Sequence, residues 1–480
     1  MTARPPEPIT APVPPAGPNH APATRPARAT TSARRDPPAH PGTSARAITS
    51  TRPPEPPRPD DPGRFRISAD DLRELAHGNS SAALLEMLAA GRRSKNLALL
   101  RTLVQLTAAS PAGRVTAEAF LLLRRAEAAD PAAVARVLSE PVVGAWLAET
   151  VRALTGSSPS PRASTDHLAR ATTERLALVA AAAGHTAGIT VRVGVPIGSD
   201  GRIAVPTLGT AGLPSDTGPA RFESETGRSS ILAGRHRVTL TPGAPGWDAE
   251  RHLDLSPEQD DSRRTSDWTT GFDPAPWIDL PSAVRRRPRP SDRQLHRVWR
   301  VRLAAAADLL ARGHPAVADE VRTIVSSVLP IAGRTGVVRS STFRDAYGLV
   351  ALSVPTPDPR WTAVTLAHEV QHAKLSALMD LFPLVRPGAA EQFDAPWRPG
   401  PRPALNLLHG TYAHLAVTRF WDRQRHLEPA DGDRRRAEAQ FRRWSSATAG
   451  TTLALANSDV LTAAGRQFVG WMHEETQAWT

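Results

Sequence analysis

A mainly helical α+β fold is predicted for this 480-residue chain, with a small antiparallel sheet region and a metal-binding helix facing a second helix. Three observations predict it. Apolar residues recur at helical spacing from about residue 69 to 183 and again from 292 onward. Between these stretches the period changes to two, in Ile189-Thr-Val-Arg-Val-Gly-Val195, Arg202-Ile-Ala-Val205 and His236-Arg-Val-Thr-Leu240, each run closed by Gly or Pro. The third is His368-Glu369-Val370-Gln371-His372, an H-E-x-x-H motif inside a helical segment, Arg360–Leu381.

Residues 1–63 hold 18 of the 47 prolines and almost no large apolar side chain, so this tail is expected to be disordered. A helical region over 64–185 follows. Ser68 is placed as an N-cap ahead of Asp70 and Asp71, then come helices over 82–90, 95–109, 116–128, 131–155 and 166–183. Residues 186–290 form a small β region over about 188–255, with 256–290 read as loop and linker. The catalytic region, 291–480, starts with helices over 292–312 and 316–329. Strand-like Gly336–Arg339 and Leu349–Val354 lead into the motif helix, and a facing helix runs over 404–421.

The formal charge of +12 is almost all arginine, since Lys95 and Lys374 are the only lysines, and it is spread along the chain. No nucleic-acid motif accompanies it, and no nucleic-acid partner is expected. The absence of cysteine excludes disulfides, thiolate metal ligands and iron–sulfur clusters. The first residues, Met-Thr-Ala-Arg-Pro-Pro-Glu-Pro, have no apolar core of a signal peptide. No stretch is apolar for long enough to span a bilayer, so a cytoplasmic protein without a membrane partner is the default expectation.

Residues four apart share a helix face, so His368 and His372 can hold one metal ion, with Glu369 about 100° round the helix beside it. With zinc, Glu369 would be the general base of a peptidase acting on bound water. With iron, the two histidines need a third ligand and vacant positions for a co-substrate and O2. His409 on the facing helix is the favoured third ligand. His414, five residues on, points about 140° away and is the reserve, and Glu391 is a weaker carboxylate candidate.

The stretch His368–Leu381, then Ala395-Pro-Trp-Arg-Pro-Gly-Pro-Arg-Pro403 and Leu407-Leu-His-Gly-Thr-Tyr-Ala413, resembles the actinobacterial H-E-x-x-H-domain proteins encoded beside radical-SAM maturases and short peptide precursors. Ser340-Ser-Thr-Phe-Arg-Asp-Ala-Tyr-Gly348 and Gly91-Arg-Arg-Ser-Lys-Asn96 fit the same pattern, so the resemblance covers about residues 64–425. It departs at Pro399-Gly400, which stand where an acidic pair is expected. The resemblance implies iron(II)- and 2-oxoglutarate-dependent β-hydroxylation of a residue in a ribosomally made precursor peptide, with a radical-SAM maturase as a possible further partner. It competes with the zinc-peptidase reading drawn from the motif alone. The free carboxylate of 2-oxoglutarate calls for a fixed arginine fork. Arg402, flanked by prolines, is the first candidate, and Arg398 and Arg344 are the alternatives. Trp397 is a candidate floor of the pocket.

Overall fold

A computed structural model describes residues 66–479 except 157–172, 215–216, 226, 257–267, 274–276, 278–292 and 334–337. The expectation for residues 1–63 lies outside them, as do most of the expected linker and part of the strand expected over Gly336–Arg339. The protein is mixed α+β and mainly helical, with several small sheets.

The first helices are α1 (Ala69–Ala76) and α2 (Ala82–Thr107). Ser68 caps α1 by accepting from the Asp71 amide at 3.0 Å, and Ser81 caps α2. The two helices expected over 82–90 and 95–109 are one. The polar run Arg92-Arg93-Ser94-Lys95-Asn96 continues the helix because its own side chains find buried or ionic partners. Then come α3 (Gly113–Ala129), α4 (Pro131–Ser139), α5 (Pro141–Leu154) and α6 (Arg175–Thr186). The helix expected over 131–155 is broken at Pro141, which lacks an amide and clashes with a preceding turn, and so starts α5.

Nine strands follow: β1 (Val191–Val195), β2 (Arg202–Val205), β3 (Gly209–Gly212), β4 (Ala220–Glu225), β5 (Arg228–Ala233), β6 (His236–Thr239), β7 (Trp247–Ala249), β8 (Arg251–Asp254) and β9 (Thr269–Phe272). They form an antiparallel sheet in the order β1-β4-β5-β6 and another in the order β2-β3-β7. Strand β9 falls within the expected linker. Its Thr270, Gly271 and Phe272 are buried, so a sheet partner rather than solvent satisfies its backbone.

Helices α7 (Arg293–Gly313) and α8 (Pro315–Ile324) lead to β10 (Ser327–Pro330), β11 (Ser340–Thr342) and β12 (Leu349–Leu352). The helix expected over 316–329 stops at Ile324, because Val328 and Leu329 belong to a fully buried strand. A short apolar run of that kind cannot be told from helix by period alone. The resulting five-stranded sheet, β11-β12-β10-β9-β8, is parallel across β12, β10 and β9 and antiparallel at both edges. The motif helix α9 (Pro359–Leu381) leaves this sheet. A proline-rich hairpin, β13 (Gln392–Ala395) and β14 (Arg398–Pro403), joins it to α10 (Ala404–Leu427), and α11 (Asp431–Ala456) and α12 (Ala463–Gln477) complete the chain.

The described residues from Ile67 onward belong to one compact unit with two large apolar cores. One core joins α1, the start of α2, the inner face of the five-stranded sheet and α7–α12. The other joins the end of α2 to α3–α6 and strands β1–β7. Helix α2 supplies Leu84 and Leu88 to the first and Leu100 and Leu103 to the second. Among the described residues no helix is long and apolar enough to cross a membrane.

Candidate functional site

Helix α9 is buried almost all round rather than along one stripe, with Thr362 to Gln371 shielded without a break. Asp358 caps it through the Arg360 amide and Pro359 occupies its first turn. A polar side chain on such a helix has no solvent to turn to and must find a partner inside the protein.

His368 and His372 meet at their Nε2 atoms, 3.1 Å apart, with the rings nearly perpendicular at 83°. Two nitrogens bound to one ion at about 2.0–2.1 Å lie roughly 3 Å apart, so the pair has the spacing that a shared ion requires. Both rings are held neutral, the state in which imidazole can ligate. Burial, reinforced by His372 and His414, pulls His368 well below the usual range, and burial pulls His372 down to about 4.

His409 and His414 approach this pair from α10 on different sides. The His409 ring is 5.7 Å from that of His372 and borders a cavity of about 160 Å³ shared with Glu369 and His372. His414 lies deeper, edge-on to His368 at 5.1 Å, stacked on Trp397 at 4.4 Å and flanked by Trp444. Its Nδ1–H donates to the Gly410 carbonyl at 2.8 Å, which leaves Nε2 as the bare nitrogen. Burial holds each of them down at about 3. Gly410 is required by this packing, since a Cβ there would lie 2.5 Å from the Trp397 ring. Trp397 therefore packs behind His414 and is not among the residues lining the cavity. Among the described residues no group of three His, Asp or Glu side chains forms a ready ion site. The His368–His372 pair fits a divalent ion, while a third ligand from α10 has to close in by a side-chain movement.

Glu369 is fully buried. Its Oε1 accepts from Ser340 Oγ at 2.7 Å, Thr342 supplies further hydrogen bonds, and Oε2 has no partner. Burial outweighs these donors and pushes the carboxyl up to about 7, the range in which a carboxylate serves as a general base near neutrality. Ser340 and Thr342 stand on β11, so the edge of the five-stranded sheet positions this carboxyl.

The arginines fall out differently from the expected order. Arg344 lines the cavity beside His372 and His409, its side chain 62% exposed and tethered to Asp380 at 3.3 Å. Arg402 and Arg398 lie on the hairpin strand β14, outside the cavity lining. Arg402 points back to the Pro399 carbonyl at 3.3 Å, because register places it opposite Phe393. Glu391 is exposed ahead of β13 and away from the pair.

The back of the motif is held by groups that the spacing alone does not reveal. Glu320 on α8 is buried and accepts from Lys374 Nζ at 2.8 Å and from Gln371 Nε2 at 3.1 Å. Lys374, 0% exposed, also donates to the Gly78 carbonyl. One carboxylate thus fixes the rotation of α9 about its axis, and with it the direction of His368 and His372. Removing one partner of a buried ion pair costs about 3–5 kcal/mol. Glu320→Ala is expected to destabilise the protein by that amount in denaturant unfolding, and Glu320→Leu with Lys374→Met by much less. Equal losses for the two variants would show that packing, not the orphaned ammonium, sets the cost. The sequence signals only the Lys374 half of this lock, as the one lysine of the motif helix, three residues beyond Gln371.

Compared with protein-family models and with curated proteins, the chain matches none.

Proposed function

We propose that the protein is an iron(II)- and 2-oxoglutarate-dependent hydroxylase acting on the β-carbon of a residue in a ribosomally made peptide. The observation that carries the reading is the placing of Arg344 in the same cavity as Glu369, His372 and His409. A cation there suits a co-substrate with two carboxylates: one would reach the ion, and a guanidinium fork would take the other. His368 and His372 would hold the ion, with His409 closing on it. When bound, the ion would activate O2, the oxidant, with 2-oxoglutarate oxidised to succinate and CO2, so that one oxygen atom goes into succinate and the other replaces a hydrogen on carbon as hydroxyl. The chain's own part is to orient the co-substrate through Arg344, keep the imidazoles neutral by burial and shield the reacting carbon from water. The peptide substrate and an accompanying radical-SAM maturase come from the family resemblance.

A second reading, a zinc peptidase, is favoured by one specific feature. Glu369 combines a free Oε2 with a carboxyl at about 7, which suits proton transfer from bound water. The two readings part at Arg344. In the hydroxylase, Arg344→Ala is expected to weaken 2-oxoglutarate binding by about 1–2 kcal/mol, roughly 5- to 30-fold, with the iron content unchanged. Arg344→Lys restores only part of it. Titration of 2-oxoglutarate into the anaerobic iron(II) protein, followed by the metal-to-ligand charge-transfer band, measures this. Zinc-supported peptide cleavage with no succinate released from 2-oxoglutarate would exclude the hydroxylase.

A further inference from the structure

Segment Gly91–Asn96 of α2 lines no part of the cavity beside His372, yet its side chains reach the loop that carries Arg344. Gly91 lets α2 and the end of α9 come close, since a Cβ there would lie 3.0 Å from the Leu381 side chain. Beside it, Arg92 is only 5% exposed. Its Nη1 donates to Asp380 on α9, and its Nη2 donates to the Arg344 backbone carbonyl at 2.8 Å. The same guanidinium lies over the Tyr347 ring. Lys95, one turn further along α2, donates to Asp345 at 2.8 Å and to Asp380 at 2.9 Å. The loop is thus fastened to α2 at Arg344, Asp345 and Tyr347, and Arg152 on α5 holds Asp345 from a second side at 2.8 Å.

The guanidinium of Arg344 is fastened by the same cluster. Asp380 Oδ1 accepts from its Nη2 at 3.3 Å, while Oδ2 takes Arg92 and Lys95. An arginine side chain as exposed as this one, at 62%, otherwise samples many rotamers and loses that freedom when a ligand fixes it. Contacts that hold it beforehand remove that cost from binding. The Asp380 charge is itself matched by Arg92 and Lys95, so it steadies the fork without cancelling its attraction for an anion.

We propose that Arg92 and Asp380 are positioning residues of the co-substrate site: Arg92 sets the backbone of Arg344 and Asp380 its side chain, so that the guanidinium is presented to the distal carboxylate of 2-oxoglutarate. This rests on the hydroxylase reading, and the test separates the two.

2-Oxoglutarate and pyruvate are each titrated into the anaerobic iron(II) protein, following the charge-transfer band. Pyruvate offers its 2-oxo acid to the ion without a distal carboxylate, so it reports on the ion alone. The wild type is expected to prefer 2-oxoglutarate by about the factor that Arg344→Ala removes. Equal affinities would overturn the hydroxylase reading, and this proposal with it. Given that preference, Asp380→Asn and Arg92→Gln are each expected to weaken 2-oxoglutarate about three- to tenfold, with pyruvate affinity and iron content unchanged. The two substitutions change the local charge in opposite senses. A plain field effect would tighten 2-oxoglutarate in Asp380→Asn and weaken it in Arg92→Gln, and that result would overturn the proposal. So would wild-type affinity in both variants, or an equal loss for pyruvate, which would assign the effect to the ion site. Each single variant leaves a buried charge short of a partner. The double variant, with an amide on each side, keeps the test open where a single one fails to fold. Because both residues act through one fork, the double variant is expected to weaken 2-oxoglutarate no more than the worse single variant, and losses that multiply would count against the proposal.

Discussion

His368→Ala and His372→Ala are each expected to abolish retention of a divalent ion, measured as metal per chain after passage through a competing chelator. The Nε2 atoms sit 3.1 Å apart. The pair is preset by the helix, by the burial that keeps both rings neutral and by the lock through Glu320. Each substitution removes one of two preset donors and leaves an ion with too few protein bonds to compete with chelator. The third ligand is decided on α10. Two imidazoles sharing an ion through Nε2 have ring centres about 5 Å apart, given metal–nitrogen bonds of 2.0–2.1 Å. His409 is 5.7 Å from His372, borders the cavity and is free to swing by the small remainder. His414 is 5.1 Å from His368 but is clamped between Trp397 and Trp444 and tied to Gly410. His409→Ala is therefore expected to lose the ion, and His414→Phe, which keeps the aromatic stack, to retain it. The reverse outcome would make His414 the ligand, with its Nδ1 bond to Gly410 fixing the tautomer as carbonyl partners of metal-bound histidines do.

How far the sequence could be read depended on whether a feature was local. The H-E-x-x-H spacing fixed a helix and the meeting of two imidazoles, because both follow from the 3.6-residue turn within five residues. The helical first region and the switch to alternating strands were equally local. The choice among Arg344, Arg398 and Arg402 was not. Prolines beside Arg402 suggested a rigid loop, but strand pairing with Phe393 turned it to the Pro399 carbonyl, and Arg344, just after β11, reached the cavity because β11 runs beside α9. Glu320 and Asp380 were invisible for the same reason: each meets its partners only through tertiary packing, 51–54 and 36–288 residues away in the chain. The parallel strands β9 and β10 escaped notice because a buried strand of four residues carries no alternation to read, whereas β12 falls within the strand expected over Leu349–Val354.

Acid is expected to unfold the metal-free protein cooperatively between about pH 6.5 and pH 4, well before its exposed carboxylates would cause it to fail. Four buried imidazoles set this window. In the unfolded chain they take up protons near 6.5. In the fold His372 does so only at about 4, His409 and His414 at about 3, and His368 well below its usual value. The unfolded state therefore binds more protons throughout the window, so stability falls as pH falls. At pH 4 His372, His409 and His414 each cost roughly 3 kcal/mol relative to pH 7, and His368 adds a cost of the same sign. Glu369 and Glu140 work the other way. Their carboxyls sit at about 7 and about 8 in the fold, above the ordinary 4.5, so they favour the fold as pH drops and return about 3 kcal/mol each. The histidines outnumber them, so the net is a loss on the order of 3 kcal/mol before the further cost of His368, a large fraction of the stability of an ordinary domain. Thermal melts of chelator-treated protein from pH 7 to pH 4 measure it. A Tm unchanged down to pH 4.5 would mean that the rings accept protons in place and that the cluster is not sealed. An ion held by the neutral imidazoles of the folded chain binds only that state, so adding one moves the acid midpoint downward, and His368→Ala removes that shift.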